Sequence, residues 1–103
     1  ITKARITWIK KNIIGKAVDF YKSSNEKDHN VYHHVGIYSF RYETLKKFIS
    51  LTPSINELNH KLEQWRALDA KMTIGVSYVK DVPISVDTKK DLINVENIIK
   101  NKL

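Results

Sequence analysis

The chain has 103 residues, of which 42% are hydrophobic, so it can build one small packed domain or a piece of a larger one. It has no cysteine, which excludes disulfides, cysteine-based zinc sites and cysteine nucleophiles, and no apolar run of the roughly 18 residues that a membrane-spanning helix needs. The net charge of +7 admits a nucleic acid, an anionic membrane face or an anionic small substrate as partner. Because the lysines are scattered rather than gathered in one stripe, we expect neither nucleic acid nor membrane as the partner.

The first part of the chain predicts two strands separated by a long loop. Residues 4–9 are suited to a short strand. Residues 9–31 form the most polar stretch, and the segment 22–30 within it shows no apolar period, so we expect an exposed, mobile loop over 9–31. Residues 34–40 are rich in β-forming side chains and bounded by polar ones, which predicts the second strand.

The second part predicts helices on either side of a strand. Residues 42–51 have a helical apolar period that Thr52-Pro53 ends. Ser54 and Glu57 have the spacing of a capping box, which begins an amphipathic helix over 55–69. Alternating apolar residues over 72–79 predict a strand.

The last predicted element is a helix that begins near Lys89. Thr88 is its expected N-cap, and Asp91 is the acidic residue that returns a hydrogen bond to the cap. The resulting order of strand, helix, helix, strand and helix predicts an α/β or α+β arrangement with too few strands for a complete doubly wound sheet. We therefore treat residues 1–103 as a single domain or a fragment of one.

The predicted strand over 34–40 carries the first candidate binding residues. His34, Gly36 and Tyr38 share one face, because alternate residues of a strand point the same way. The glycine leaves a slot in which a ligand can lie on the backbone between two polar groups. Equally, Gly36 can accommodate a packed neighbour, with His34 and Tyr38 as half-buried sheet residues.

Glu63 and Gln64 are the next candidates, beside the apolar stripe of the helix predicted over 55–69. At the edge of a cleft they would act as hydrogen-bond acceptor and donor. They also fit ordinary solvated positions, and Arg66, three residues after Glu63, allows a surface ion pair.

Asp87 is a candidate metal ligand at the end of a strand-to-helix loop. It precedes the expected cap Thr88, so capping does not require it, and such loops often supply oxygen ligands to hard cations. The alternative is a turn aspartate that competes for the capping role. One carboxylate does not make a magnesium site, so its partners would come from outside this chain.

Four segments in order resemble motifs of the 3-deoxy-manno-octulosonate cytidylyltransferases, also called CMP-Kdo synthetases. Residues 33–41, HHVGIYSFR, resemble RHLGIYGYR, and residues 86–92, VDTKKDL, resemble VDTPEDL. Residues 52–66, with TPS, a following glutamate and then LEQWR, resemble PSPLE…LEQLR, and residues 2–8, TKARITW, are similar to SRATIPW. The resemblance covers the chain apart from 9–31.

The resemblance implies a fold, a reaction and site residues. The fold would be the carboxy-terminal part of a Rossmann-like nucleotide-diphospho-sugar transferase, a mixed sheet with flanking helices that is incomplete on its own. The family transfers CMP from CTP to 3-deoxy-manno-octulosonate (Kdo) for lipopolysaccharide biosynthesis and releases pyrophosphate. By position, Kdo would be bound by a set of four residues, and Mg²⁺ would be shared between Asp87 and an aspartate of the amino-terminal half. The four are His34, Tyr38, Glu63 and Gln64.

The resemblance also implies a cytoplasmic homodimer, and a fragment that is inactive without the missing amino-terminal half. Some positions depart from the family: Lys3 replaces an arginine, His60 a glutamate, and residues 83–85 lack the usual glycines and are one residue shorter, which affects the placement of Asp87. Two alternatives stay open. One is a basic, non-catalytic module that binds nucleic acid or protein, and the other is a cytidylyltransferase for another acid sugar.

Overall fold

The computed structural model describes residues 1–22, 30–81 and 83–102. The strands are β1 (Thr2–Lys10), β2 (Ile14–Lys22), β3 (Val31–His33) and β4 (Gly75–Ser77), and the helices are α1 (Tyr42–Ser50), α2 (Ile55–His60), α3 (Gln64–Asp69) and α4 (Lys89–Lys102). The strands form one sheet in the order β3-β1-β2-β4, and each of its three pairings is antiparallel. The prediction of an α/β chain is confirmed in the coarse sense of a sheet with helices. The sheet itself is antiparallel, where a mixed sheet was predicted.

The β1–β2 hairpin corrects the prediction of a loop over 9–31. Residues 14–22 form β2, which pairs with β1 along its whole length. The pairing register shifts between Arg5 and Ile6, where β2 has a bulge. Because of this bulge, the buried position that follows Ala17 on β2 is Phe20 and not Asp19. This shift breaks the two-residue period, and glycine and alanine occupy two of the buried positions, so the strand does not show as an apolar alternation. Residues 23–29 lie outside the described residues.

The prediction of a strand over 34–40 is also wrong. Strand β3 ends at His33, and the chain then turns, with the Ile37 N–H donating to the Val35 carbonyl at 2.8 Å. His34 Nε2 and Tyr38 Oη are 2.7 Å apart, whereas residues four apart on a strand are separated by about 13 Å. The β-forming residues here flank a turn that folds the chain back on itself.

The helix predicted over 55–69 is two helices. Lys61 adopts a left-handed conformation (φ 55°, ψ 41°) that ends α2, and α3 begins at Gln64. The capping box is confirmed, since the Glu57 N–H donates to Ser54 Oγ and the Ser54 N–H donates to Glu57 Oε1, both at 3.1 Å. The prediction of α1 is confirmed to within one residue at its end.

The predicted last helix is confirmed as α4. The Asp91 N–H donates to Thr88 Oγ1 and the Thr88 N–H donates to Asp91 Oδ2, both at 3.1 Å. None of its described residues is buried. Within the described ranges, no helix has both the length and the apolar character to cross a membrane.

The core lies between one face of the sheet and α3. Its buried members are Ala4, Ile6, Ala17, Phe20 and Leu62. Trp65 and Leu68 of α3 pack against this cluster from the helical side. Several large apolar side chains elsewhere stay in solvent, among them Ile37 and Ile55, each about four-fifths exposed (80% and 78%).

Candidate functional site

An open groove of about 1560 Å³ runs along the sheet face, the turn after β3 and the start of α3. His34, Tyr38, Glu63 and Gln64 all line this groove, although they come from segments almost 30 residues apart. Asp87 is not among its lining residues. The structure therefore brings four of the five sequence-predicted residues to one surface and leaves the fifth outside it.

His34 and Tyr38 form a hydrogen-bonded pair on the wall of the groove. Their shared hydrogen bond joins Nε2 and Oη at 2.7 Å, and the His34 imidazole also meets the edge of the Phe20 ring at a centroid distance of 5.6 Å. Burial, and then the neighbouring charge of His33, lower the pKa of His34 below 6.5, while burial raises the pKa of Tyr38 to about 12. Both groups are thus neutral near pH 7 and can donate and accept hydrogen bonds toward a polar ligand.

Glu63 and Gln64 stand at the junction of α2 and α3, not in the middle of one helix. Glu63 is the N-cap of α3 with an exposed side chain, and Gln64 is its first residue. The Gln64 side-chain nitrogen is buried and has no hydrogen-bond partner among the described residues. A buried amide donor without a partner is costly, so a ligand acceptor that reached it would be favoured.

Arg66 forms its ion pair with Glu57 and is not among the residues that line the groove. The guanidinium donates to both carboxylate oxygens of Glu57, at 2.9 and 2.7 Å, and lies over the Phe48 ring at 5.0 Å. The sequence had suggested Glu63 as the partner of Arg66. The two-pronged bond to Glu57 instead ties α3 to the capping box of α2, which fixes the junction that carries Glu63 and Gln64.

Cationic side chains border the groove, and sequence reasoning missed them. Among the residues that the structure describes, Arg41, Lys47 and Lys80 line it together with a single acidic residue, Glu63. This balance favours an anionic ligand. The three cations come from the turn after β3, from α1 and from the segment after β4, so no local spacing in the sequence relates them.

Aromatic side chains form the floor of the groove at its sheet end. The Trp8 indole N–H donates to Tyr32 Oη at 3.2 Å, and the Tyr32 ring contacts the Tyr78 ring edge-on at 6.1 Å. All three line the groove. The alternation of polar tips and apolar faces suits a ligand with both hydroxyl groups and C–H surfaces.

Asp87 lies beside a second, smaller cleft. This cleft of about 220 Å³ separates residues 33–37 from residues 83–85, and His34 borders both it and the groove. Ser85 Oγ donates to Asp87 Oδ2 at 3.4 Å, which connects the carboxylate to the rim of the cleft. Thr88 and Asp91 perform the capping, so the competing role of Asp87 as cap is not what the structure has.

The described residues do not form a metal site by themselves. No group of three or more His, Cys, Asp or Glu side chains within 1–22, 30–81 and 83–102 could hold a metal ion. Asp87 offers an exposed carboxylate, which is the ligand type that Mg²⁺ takes, commonly one or two at a time together with phosphates and water. It fits the role of one ligand whose companions come from elsewhere.

The comparisons with known proteins agree with the motifs. No family model matches the chain. The chain is 49% identical over 72 residues to the 3-deoxy-manno-octulosonate cytidylyltransferase of Bartonella tribocorum, which is 70% of this chain and 30% of that protein. The namesakes from Rickettsia rickettsii and Rickettsia akari are 55% identical over 60 residues and 49% identical over 80 residues. These matches cover 58% and 76% of this chain, and 25% and 32% of the two proteins.

The chain thus spans between a quarter and a third of the length of the curated relatives it matches. This share is consistent with the carboxy-terminal portion that the motifs indicated. The resemblance predicted from the sequence is confirmed: the chain is related to the 3-deoxy-manno-octulosonate cytidylyltransferases and corresponds to a part of them.

Proposed function

We propose that this chain is the sugar-acid-binding, carboxy-terminal part of a cytidylyltransferase that transfers CMP from CTP to Kdo and releases pyrophosphate. The observation that carries the proposal is the groove. Four residues picked out by the resemblance line one surface, and three cations border it. The names of the relatives supply the substrates, since each is a 3-deoxy-manno-octulosonate cytidylyltransferase.

Kdo is an anionic sugar with several hydroxyl groups, and the groove offers a partner for each kind of atom. The buried Gln64 amide lacks an acceptor among the described residues, and a sugar hydroxyl or carboxylate oxygen would provide one. The Glu63 carboxylate would accept hydrogen bonds from hydroxyl groups, as would the His34–Tyr38 pair. Arg41, Lys47 and Lys80 would offset the charge of the sugar carboxylate.

In the proposed reaction, the anomeric hydroxyl oxygen of Kdo attacks the α-phosphorus of CTP. A bond forms between that oxygen and phosphorus, the bond from phosphorus to the pyrophosphate oxygen breaks, and the hydroxyl proton leaves to solvent or a nearby base. Bound Mg²⁺ would offset phosphate charge in such a transfer. Asp87 would provide one of its oxygen ligands, and a carboxylate from the remainder of the enzyme the other. The residues of this chain bind and orient the sugar, so we expect no turnover without the remainder.

The finer parts of the fold and assembly belong to the same proposal. Strands β3 and β4 form the two edges of the described sheet, and an edge strand presents unpaired N–H and C=O groups with which a further strand can pair. Extension by parallel strands of the remainder would give the mixed sheet of a Rossmann-like sugar-nucleotide transferase. We expect the complete enzyme to be a cytoplasmic homodimer.

The test is pyrophosphate release from CTP in the presence of Kdo and Mg²⁺. The assay compares three samples: this chain, the part of the Rickettsia rickettsii relative that the chain does not match, and both together. We expect CMP-Kdo only when both parts are present. A covalent fusion of the two parts removes any dependence of activity on their association. The matched control is the same fusion with the substitution Gln64→Ala. If neither the mixture nor the fusion made CMP-Kdo, the proposed function would be wrong.

A further inference from the structure

Phe20 connects two groups of groove residues. The first wall of the groove is the His34–Tyr38 pair, and the second wall is the start of α3 with Glu63 and Gln64. Phe20 is on β2, its side chain is 1% exposed, and it is the largest of the fully buried side chains in the described ranges. It belongs to the core cluster and also lines the floor of the groove. The bulge in the β1–β2 pairing turns it inward, as described above. Phe20 pairs with Ala4 of β1, so the β1–β2 hairpin sets its position.

The ring of Phe20 contacts the first wall. It meets the His34 imidazole edge-to-face, with centroids 5.6 Å apart and planes at 84°. The same imidazole also contacts Tyr38, with the ring centroids 5.6 Å apart and the hydrogen bond described above. The imidazole thus contacts two aromatic rings, of which Tyr38 belongs to the turn after β3 and Phe20 to the sheet. The His34 backbone N–H also donates to the Thr2 carbonyl of β1 at 2.9 Å, and the Phe20 ring adds a contact between the sheet and the imidazole itself.

The backbone of Phe20 contacts the second wall. The Trp65 indole N–H donates to the Phe20 carbonyl at 3.0 Å. Trp65 directly follows Gln64 at the start of α3, and its ring packs against the core cluster. A hydrogen bond between two partly buried groups at this place fixes the distance between the sheet and the first turn of α3.

We propose that Phe20 is a positioning residue for the sugar-acid site: its ring orients the His34 imidazole, and its carbonyl anchors, through Trp65, the helix start that carries Glu63 and Gln64. This inference rests on the proposed function for the identity of the ligand, but its geometric content concerns this chain alone. Phe20 itself would not contact the sugar through a polar group. Its effect is to fix the positions of the two groups of binding residues relative to each other. A binding site needs these relative positions to be held to within a fraction of an ångström.

The first test compares Phe20→Leu with Ile6→Val in the full 103-residue chain. Both variants remove a little volume from the same buried cluster, but only Phe20→Leu removes a ring that touches His34. NMR titration of the His34 ring protons should show a pKa closer to 6.5 in Phe20→Leu than in the wild type, and an unchanged pKa in Ile6→Val. The Kd for Kdo should rise about tenfold in Phe20→Leu and less than about twofold in Ile6→Val.

The second test concerns the backbone link. Trp65→Phe keeps an aromatic ring against the core but removes the N–H that donates to the Phe20 carbonyl. We expect its amide shift changes to concentrate at Glu63 and Gln64, with His34 unmoved and Kdo affinity lowered several-fold. Equal amide shift changes at His34 and at the start of α3 would contradict the view that the Phe20 ring and the Phe20 carbonyl act separately.

Two results would overturn the inference. The first is a folded Phe20→Leu chain whose His34 titration and Kdo affinity match those of Ile6→Val. The second, which applies even if Phe20→Leu does not fold, is the absence of a nuclear Overhauser effect between the Phe20 ring and the His34 ring in the wild type. If the wild type bound no Kdo, the proposed function would fail instead, and the His34 titration and the Overhauser effect would still decide whether Phe20 orients His34.

Discussion

Replacing Gly15 by alanine should destabilise the sheet that supports the groove. A Cβ at Gly15 would lie 2.7 Å from the Thr7 carbonyl oxygen and 2.9 Å from both Ile6 Cγ2 and Trp8 Cε3. The side-chain atoms can move a little, but the oxygen belongs to the paired strand β1, so the hairpin backbone must shift. Overpacking of this kind costs about 3 kcal/mol, from which the intrinsic gain of alanine over glycine in a strand, about 0.5–1 kcal/mol, is subtracted.

The expected net loss is therefore about 2 kcal/mol, or a fall in Tm on the order of 10 °C for a chain of this size. The matched control is Gly75→Ala on β4, where an added Cβ would meet nothing within 4 Å. It should gain about 0.5 kcal/mol and raise Tm by a few degrees. Thermal and urea unfolding followed by circular dichroism measure both. A Gly15→Ala chain as stable as the wild type, or one no less stable than Gly75→Ala, would refute the close packing of β1 on β2.

Two further changes test the helix junction and the His34–Tyr38 pair. Glu57→Gln keeps an oxygen for the capping bond with Ser54 but loses the charge that binds Arg66, so we expect Tm to fall on the order of 5 °C. Glu57→Ala also loses the capping bond, so its Tm should fall further. Tm equal in both variants would contradict the double role of Glu57. Because the folded pKa of His34 is lowered, the unfolded chain binds more protons below pH 6.5, and stability should fall as the pH drops through that value. Because the pKa of Tyr38 is raised from 10.0 to about 12, the unfolded chain loses its proton first, and stability should fall as the pH rises through this window. Tm measured against pH should show a smaller alkaline loss in Tyr38→Phe, and an identical alkaline loss would contradict the raised pKa of Tyr38.

Local signals in the sequence predicted the helical parts of the fold well. The capping residues Ser54 and Thr88 interact with partners three residues away, so a short stretch of sequence contains the whole motif. The end of α2 was missed because a left-handed lysine has no sequence signature of the kind that glycine gives. Strand β2 was missed because its inward positions change parity at a bulge, which only the pairing with β1 reveals.

The candidate site was predicted in part, and for one pair of residues by the wrong route. His34 and Tyr38 were expected to share a face of a strand, and they share the groove because a turn brings them into contact. The cations Arg41, Lys47 and Lys80 were not predicted, because they meet only through the tertiary fold. The roles of all five predicted residues toward Kdo and Mg²⁺ stay predictions.

An amide NMR titration of this chain with Kdo, with and without Mg²⁺, shows whether the chain retains a sugar-acid site. We expect shifts centred on His34, Tyr38, Glu63 and Gln64, with no dependence on Mg²⁺ at these four residues. A chain with Gln64→Ala should show the same spectrum at the start and weaker shifts on titration. A well-dispersed spectrum in which none of the four residues moves at millimolar Kdo would contradict the retention of this site, and the relation to the cytidylyltransferases would then describe ancestry without a binding site in this chain.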